Sequence, residues 1–444
     1  MQLAIPLCLV HMGQQFMAMV DIAMLGNHSK TALAGAGIGA NFVFVVQIVF
    51  AGFLLSLDAT IPKAVGQGNP SLAWHIYRKG VRLALYFTVP ATLIIALGPM
   101  VVGGDLMTPA IAKEFHSYVF PRMIGTLPYL LFYVQRSFLQ AHEKTRPIIY
   151  VIVLANLLNL ALDGILIHGD GALGWLGAGP IGLPAMGSFG AGLATSMVSL
   201  FSVLFLMLFI RKPDRQTDSK PLSSKTLLLI GLPIAGQLLI ECGIFGLTGF
   251  LSGLLGEVPA AAHQIALAIA SLSFSGALGM ASATAVKVGQ KLGEGDLVGA
   301  RDAGWVGISL GTAIMALAGL VFLLAPELLT GFFSKSSEIL ILANKLLIVA
   351  ALFQLSDAIQ VIAAGALRGA GVTKPAFYAN LTGHYFFGLP IGLLLAFKLD
   401  VGVVGLWWGL SGGLTLVAVV LLLVYHRVFK SMIKEHTGTQ TKGS

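Results

Sequence analysis

The chain has 444 residues, 56% hydrophobic and 10% charged, with a mean hydropathy of +0.87. Soluble domains carry about 25% charged residues, so 27 basic and 19 acidic side chains cannot cover a water-soluble fold of this length, and soluble enzymes and binding modules are excluded. The net charge of +8 does not indicate a nucleic-acid partner, because the basic residues sit in short turns between apolar runs, with no basic stripe interleaved with aromatics. Cys8 and Cys242 both lie in apolar runs and form neither a disulfide framework nor a CxxC pair.

Apolar runs of the roughly 20 residues needed to cross lipid fall at 3–25, 36–60, 81–102, 117–139, 147–168, 189–210, 226–255, 260–286, 303–325, 342–366, 375–397 and 402–426. They are continuous, whereas barrel strands would alternate polar and apolar residues over about ten positions. The expectation is an all-α integral membrane protein of twelve transmembrane helices. The first run has no basic n-region and no small-residue cleavage site, and reads as a retained helix. It carries His11, Gln14 and Asp21 on one face, with Met12, Met17, Met19 and Met24 as packing residues. Asp58, near Lys63 at the end of the second run, reads as interfacial. The fifth run places Asn156, Asn159 and Asp163 at i, i+3 and i+7, one helical face.

After the sixth run, residues 211–225 form the most polar internal stretch. They read as a linker between an N-terminal six-helix lobe, 1–210, and a C-terminal lobe, 226–430, which is followed by a tail, 431–444. In the second lobe Gln237 and Glu241 share a face of the seventh run, and Phe353, Asp357 and Gln360 share a face of the tenth. His263 opens the eighth run, and Asn380 and His384 lie in the eleventh. Gln14, Asn156, Gln237, His263, Phe353, Gln360 and His384 are candidates to line a cavity; for the histidines, hydrogen bonds between packed helices are an equal alternative.

The two lobes repeat one another. Pro6 matches Pro233 at an offset of 227, Val65-Gly66-Gln67 matches Val288-Gly289-Gln290 at 223, and Thr145-Arg146-Pro147 matches Thr373-Lys374-Pro375 at 228. Six helices per repeat is an even number, so the repeats are parallel, related by an axis along the membrane normal. Lys and Arg divide 21 against 6 between the two sides, accounting for all 27. This places both termini and the even-numbered loops in the cytoplasm.

A charge at the bilayer centre costs about 2.5–3.5 kcal/mol on insertion scales. Asp21, Asp163, Glu241 and Asp357 fall well inside apolar runs, and no Lys or Arg is expected deep enough to pair with them. Such acids suit binding of a proton or a small cation. The acids of the two halves do not align: Glu241 corresponds to Gln14, and Asp21 to Thr248.

These residues resemble the multidrug and toxic compound extrusion (MATE) family, in its bacterial NorM-like branch. The matching features are Val20-Asp21 with Met24-Leu25-Gly26, Asn159 with Asp163, Gly231-Leu232-Pro233-Ile234 leading to Glu241, and Ala262-His263-Gln264-Ile265-Ala266. Further on come Val288-Gly289-Gln290, Asp357-Ala358-Ile359-Gln360-Val361, and Leu367-Arg368-Gly369-Ala370-Gly371 before Lys374-Pro375. The resemblance covers essentially the whole chain. It implies a V-shaped pair of six-helix bundles in a bacterial inner membrane, acting as a monomer. The implied activity is export of cationic or amphipathic compounds in exchange for H⁺ or Na⁺, with no resident cofactor. It also implies one cation site at Asp21, Asn159 and Asp163, joined by Thr195, and a second at Glu241 and Asp357. Phe353 stands where some relatives have Tyr, which removes one oxygen from the second site.

Two other classes fit parts of the sequence. A lipid-linked oligosaccharide flippase of the same superfamily would line its cavity with Arg or Lys for pyrophosphate. A membrane-embedded hydrolase is suggested by Gly409-Leu410-Ser411-Gly412-Gly413, but His426 lies about four turns away on the same helix. His142-Glu143 begins a zinc motif that Arg146 leaves without its second His. No Gly-Lys-Ser/Thr phosphate loop occurs. The chain is expected not to be an enzyme.

Overall fold

The computed structural model describes residues 3–102, 107–171, 182–213 and 222–440, which are helical without a strand. Among the described residues twelve long helices follow one another: α1 (Ala4–His28), α2 (Lys30–Leu54), α3 (Pro70–Val102), α4 (Pro109–Ala141), α5 (Arg146–His168) and α6 (Gly187–Met207). Then come α7 (Ser224–Leu254), α8 (Glu257–Gly293), α9 (Leu297–Leu324), α10 (Ser337–Gly369), α11 (Lys374–Lys398) and α12 (Val403–Gln440). A break at Leu55-Ser56, where the Ser56 hydroxyl donates to the Phe53 carbonyl (2.8 Å), separates α2 from a short helix at Leu57–Gly66. Asp58 lies in the first turn of that short helix and is buried in the protein. Within α11 the backbone widens into π-helix at Leu381–Gly388 and Leu394–Lys398.

Eleven spans among the described residues are long and apolar enough to cross a membrane, α2 and its short continuation counting as one. The exception is α4, which carries Lys113, Glu114, Arg122, Gln135, Arg136 and Gln140. Its packing explains this composition. Helix α4 lies against α2, α3 and α6, and most of its residues are buried. Helix α10, the fourth of the second half, is the equivalent hub, lying against α8, α9 and α12. The repeat read from sequence offsets is thus also a repeat of packing. Elsewhere large apolar side chains such as Phe16, Tyr86, Phe250, Leu317 and Phe386 are exposed, the lipid-facing pattern of a membrane protein.

The contacts divide the chain into two compact units. One comprises Met12–Leu57 and Pro70–Leu227; the other comprises Met1–His11, Asp58–Asn69 and Leu228–Ser444. The start of α1 and the segment after α2 thus belong to the C-terminal unit, although the sequence grouped both with residues 1–210. Most of the linker, 214–221, and the tail residues 441–444 lie outside the described residues.

In the C-terminal unit α8 and α10 approach through small residues. A β-carbon on Gly365 would lie 2.6 Å from the Ala281 carbonyl oxygen, and one on Gly369 would lie 2.3 Å from that of Ala285. This small-xxx-small pattern on both helices brings backbone against backbone, the strongest packing available where lipid removes the hydrophobic drive. The same logic accounts for the serine-hydrolase-like motif. Gly409 packs on Gly388 and Gly392 of α11, Gly413 packs on Gly383, and the Ser411 carbonyl accepts from Thr415.

Outside the membrane, Asp296 caps α9 by accepting from the Gly299 N–H (2.7 Å), and Lys291 approaches it at 3.3 Å. The capping bond, aided by Lys291, holds the Asp296 carboxyl below the ordinary carboxylate range. A lowered value means the contribution is complete above the unfolded pKa and is lost as pH falls through the folded one. Asp296→Ala should therefore lower the thermal midpoint at neutral pH. That gap should close on acidification below the carboxylate range, as read by thermal unfolding of the detergent-solubilised protein at several pH values.

Candidate ion-coupling sites

The first site lies in the N-terminal unit, where α1, α5 and α6 present polar side chains to one another. Asp21 of α1 is 9% exposed, and Asn159 and Asp163 of α5 are both 0% exposed. The side chains of Asn159 and Asp163 lie against Asp21. The Thr195 hydroxyl of α6 stands 3.2 Å from Asp21 Oδ2 and 2.9 Å from the Ala191 carbonyl. A hydroxyl has one hydrogen and accepts as well. It donates to Asp21 when the acid is ionised; when the acid is protonated, it accepts from Asp21 and donates to Ala191. One oxygen of Asp21, both of Asp163 and both amide atoms of Asn159 lack hydrogen-bond partners. Buried polar atoms left this way are costly. A proton or a hard cation is what would satisfy a set of clustered oxygens. The donor set is all oxygen, and no group of three His, Cys, Asp or Glu suited to a metal occurs among the described residues.

The other proposed neighbours of this site behave differently. Asn156 turns away from the acids: its amide donates to the Gly13 carbonyl (3.1 Å) and to that of Ile152 (2.8 Å), bracing α5 on the α1 backbone. Gln14 is half-buried.

The second site lies in the C-terminal unit. Gln237, one turn before Glu241 on α7, donates to Glu241 Oε1 at 3.0 Å, and Gln360 of α10 donates to the same oxygen at 2.7 Å. Asp357, buried one turn before Gln360, lies within electrostatic reach of Glu241, as does Arg368. Sequence reasoning named all four of Gln237, Glu241, Asp357 and Gln360, and the fold brings them together. Two amide donors leave that oxygen fully satisfied.

His263, Phe353 and His384 stand apart from those amide bonds. Trp407 Nε1 donates to His263 Nδ1 (3.1 Å) while its ring packs 5.7 Å from Phe353. Indole is donor only, so the neutral imidazole carries its proton on Nε2. Phe353 therefore belongs to an apolar cluster around Trp407. His384 is buried in the π-helical part of α11, with neither ring nitrogen bonded.

The expectation that no cation lies deep in the spans fails on α4. Arg122 and Arg136 are 8% and 1% exposed. Arg122 donates through Nη2 to Gln47 of α2 (3.2 Å), and Arg136 lies over the Tyr133 ring at 4.5 Å. A signal was present in the sequence. Tyr118, Arg122, Thr126, Tyr129, Tyr133, Arg136 and Gln140 recur every three or four residues, one polar stripe along the helix. Reading Arg122 and Arg136 only as topology markers concealed it.

Two six-helix repeats, each with apolar side chains exposed and with buried carboxylates among hydroxyl and amide groups, define a polytopic membrane carrier. The family model MatE matches residues 6–165 and 233–394, one block in each half. The multidrug resistance protein NorM of Burkholderia vietnamiensis is 33% identical, covering 97% of this chain and 94% of that protein. A NorM-designated protein of Mesorhizobium japonicum is 34% identical, covering 95% and 91%. Among solved structures, the eukaryotic MATE transporter AtDTX14 superposes with a TM-score of 0.84 at 21% identity, over 97% of this chain and 96% of that one. A MATE in complex with MaD3S gives 0.86 at 19%, over 98% and 96%. The chain belongs to the MatE family, and it is a membrane transporter, not an enzyme.

Proposed function

We propose that this chain is a multidrug exporter of the bacterial inner membrane, with both termini cytoplasmic. It acts as a monomer and exchanges cationic or amphipathic compounds for H⁺ or Na⁺ by alternating access. The observation that carries this reading is the pair Asp21 and Asp163, buried together with three carboxyl oxygens and the Asn159 amide lacking hydrogen bonds. Binding a proton or Na⁺ there removes the cost of carrying bare charge through an occluded state. The Thr195 hydroxyl bonds either charge state of Asp21, so protonation and deprotonation leave it satisfied. Glu241 is already supplied with two amide donors. The N-terminal pair is therefore the primary coupling site, and the Glu241–Asp357 pair is secondary, favouring cationic cargo through its charge. A ligand biases such a carrier only by its differential affinity for the two states.

A pyrophosphate-linked cargo would call on interior cations such as Arg122 and Arg136. Four interior carboxylates oppose such a cargo and favour a cation.

The test is uptake of ethidium into proteoliposomes under an imposed Na⁺ gradient and, separately, a pH gradient. Saturable accumulation against the ethidium gradient under one of the two is expected. Equilibration without accumulation under both would mean a channel, and this reading would fall.

A further inference from the structure

Asp21 and Asp163 account for one cluster of unsatisfied polar atoms among the described residues, and Arg122 forms another within the same unit. Its surroundings form a closed loop between α4 and α2. Arg122 Nη2 donates to Gln47 Oε1 at 3.2 Å, Gln47 Nε2 donates to Thr126 Oγ1 at 3.3 Å, and the Thr126 hydroxyl donates back to the Arg122 carbonyl at 3.3 Å. Gln47 and Thr126 are fully buried. Nε and Nη1 of the guanidinium have no hydrogen-bond partner. A neutral amide on one N–H of five positions the group without offsetting its charge, and a buried charge left in that state is costly.

Ser196, next to Thr195 on α6, donates to the carbonyl of Pro121 at 2.9 Å, so the turn of α4 that carries Arg122 lies against the turn of α6 that holds Asp21. One turn before Arg122, the buried Tyr118 lies against Thr195, the residue that holds Asp21. The Arg122 charge reaches Asp21, Tyr118 and Tyr129, and Tyr129 also feels Arg136. Unbonded guanidinium donors and unbonded carboxyl oxygens thus occupy one lobe, within electrostatic reach but without a hydrogen bond between them.

We propose that Arg122 is the internal counter-charge of the Asp21–Asp163 pair. It balances the pair when the coupling ion departs and thereby makes that ion releasable. Arg122 is a positioning residue in this role, since it touches neither ion nor cargo. The proposal rests on the reading that this pair binds the coupling ion. With the ion bound, the ion compensates the carboxylates and Gln47 holds the guanidinium back. With the ion gone, the planar donor fork offers two N–H groups to a carboxylate, the geometry that carboxylates bind best. Without Arg122, the emptied pair would have no compensating charge, and the ion would be held too tightly to turn over.

This has a sign that a merely structural role does not share. In purified protein in lipid nanodiscs, equilibrium binding of radiolabelled Na⁺ and uptake of protons by titration with a pH indicator are measured for Arg122→Gln and Arg122→Lys. Arg122→Gln should bind whichever ion the unaltered protein binds about tenfold more tightly, the order of effect of removing one nearby charge, and should export more slowly. Arg122→Lys should stay near the unaltered protein. Gln47→Glu, which gives the guanidinium a permanent carboxylate partner, should tighten ion binding in the same direction and covers the case in which Arg122→Gln does not fold. If folded Arg122→Gln or Gln47→Glu binds the ion no more tightly while Asp163→Asn abolishes binding, the counter-charge proposal is overturned and the site assignment stands. If Asp163→Asn and Asp21→Asn bind as the unaltered protein does, the site assignment and the proposal fall together.

Discussion

Asp163→Asn should abolish ion-driven export, reducing ethidium accumulation in proteoliposomes to the level of vesicles without protein, while the protein folds normally. The substitution keeps the shape of the side chain and removes only its capacity to lose a proton or to hold a cation by charge. Asp163 is fully buried against Asp21 and Asn159, and an amide of the same outline can still meet both side chains. An interior carboxylate without a cationic partner in bonding contact disfavours the folded, inserted state, so the Asn variant should unfold at the same temperature or higher. Asp21→Asn should act in the same direction. There the Thr195 hydroxyl still bonds the side chain, so that residue tests the charge independently of the hydrogen bond. Retained accumulation in both variants at equal reconstitution would remove the N-terminal pair from the coupling mechanism.

Gly369→Leu should prevent recovery of a monodisperse protein altogether. The added β-carbon would lie 2.3 Å from the Ala285 carbonyl oxygen, with the Ala285 Cα at 2.9 Å. Overpacked cores usually lose about 1–3 kcal/mol because side chains give way. Here the obstacle is the backbone of a neighbouring helix, and the displaced helix is α10, against which α8, α9 and α12 all pack. Gly371→Ala makes a useful contrast. Gly371 has open space where a β-carbon would go but a φ of +76°, so a strained turn and not a clash is expected there. Size-exclusion profiles of the two variants should differ accordingly: aggregate for Gly369→Leu, a folded but less stable peak for Gly371→Ala.

Much of this molecule was legible because lipid simplifies the reading. Twelve apolar runs became twelve helices, and the grouping of Asn159 with Asp163, or of Gln237 with Glu241, followed from helical spacing alone. What spacing on one helix does not reveal is which faces meet. Asn156 shares a face with Asn159 but spends its amide on the Gly13 backbone, because α1 passes close there. Phe353 shares a face with Asp357 but stacks near Trp407, a residue from a helix 54 positions later in the chain. Arg122 was misplaced for a related reason. Five residues inside the expected end of the fourth run, a guanidinium on a lipid-facing helix would snorkel to the interface. Helix α4 is walled off by its neighbours, and Arg122 turns inward to Gln47 instead.

That walling-off bears on how the protein is made. A segment leaving the translocon enters the membrane by its own hydrophobicity, and α4 is the one long helix here that falls short of a spanning segment by composition. Of the three helices that shield it, α2 and α3 have already been synthesised when it emerges, and α6 has not. The fourth helix must therefore be retained beside its predecessors as a polar intermediate until α6 arrives, so integration of the N-terminal half is a cooperative assembly and not a sequence of independent insertions. Chains truncated between α4 and α6 should be the ones that the cell's membrane proteases recognise.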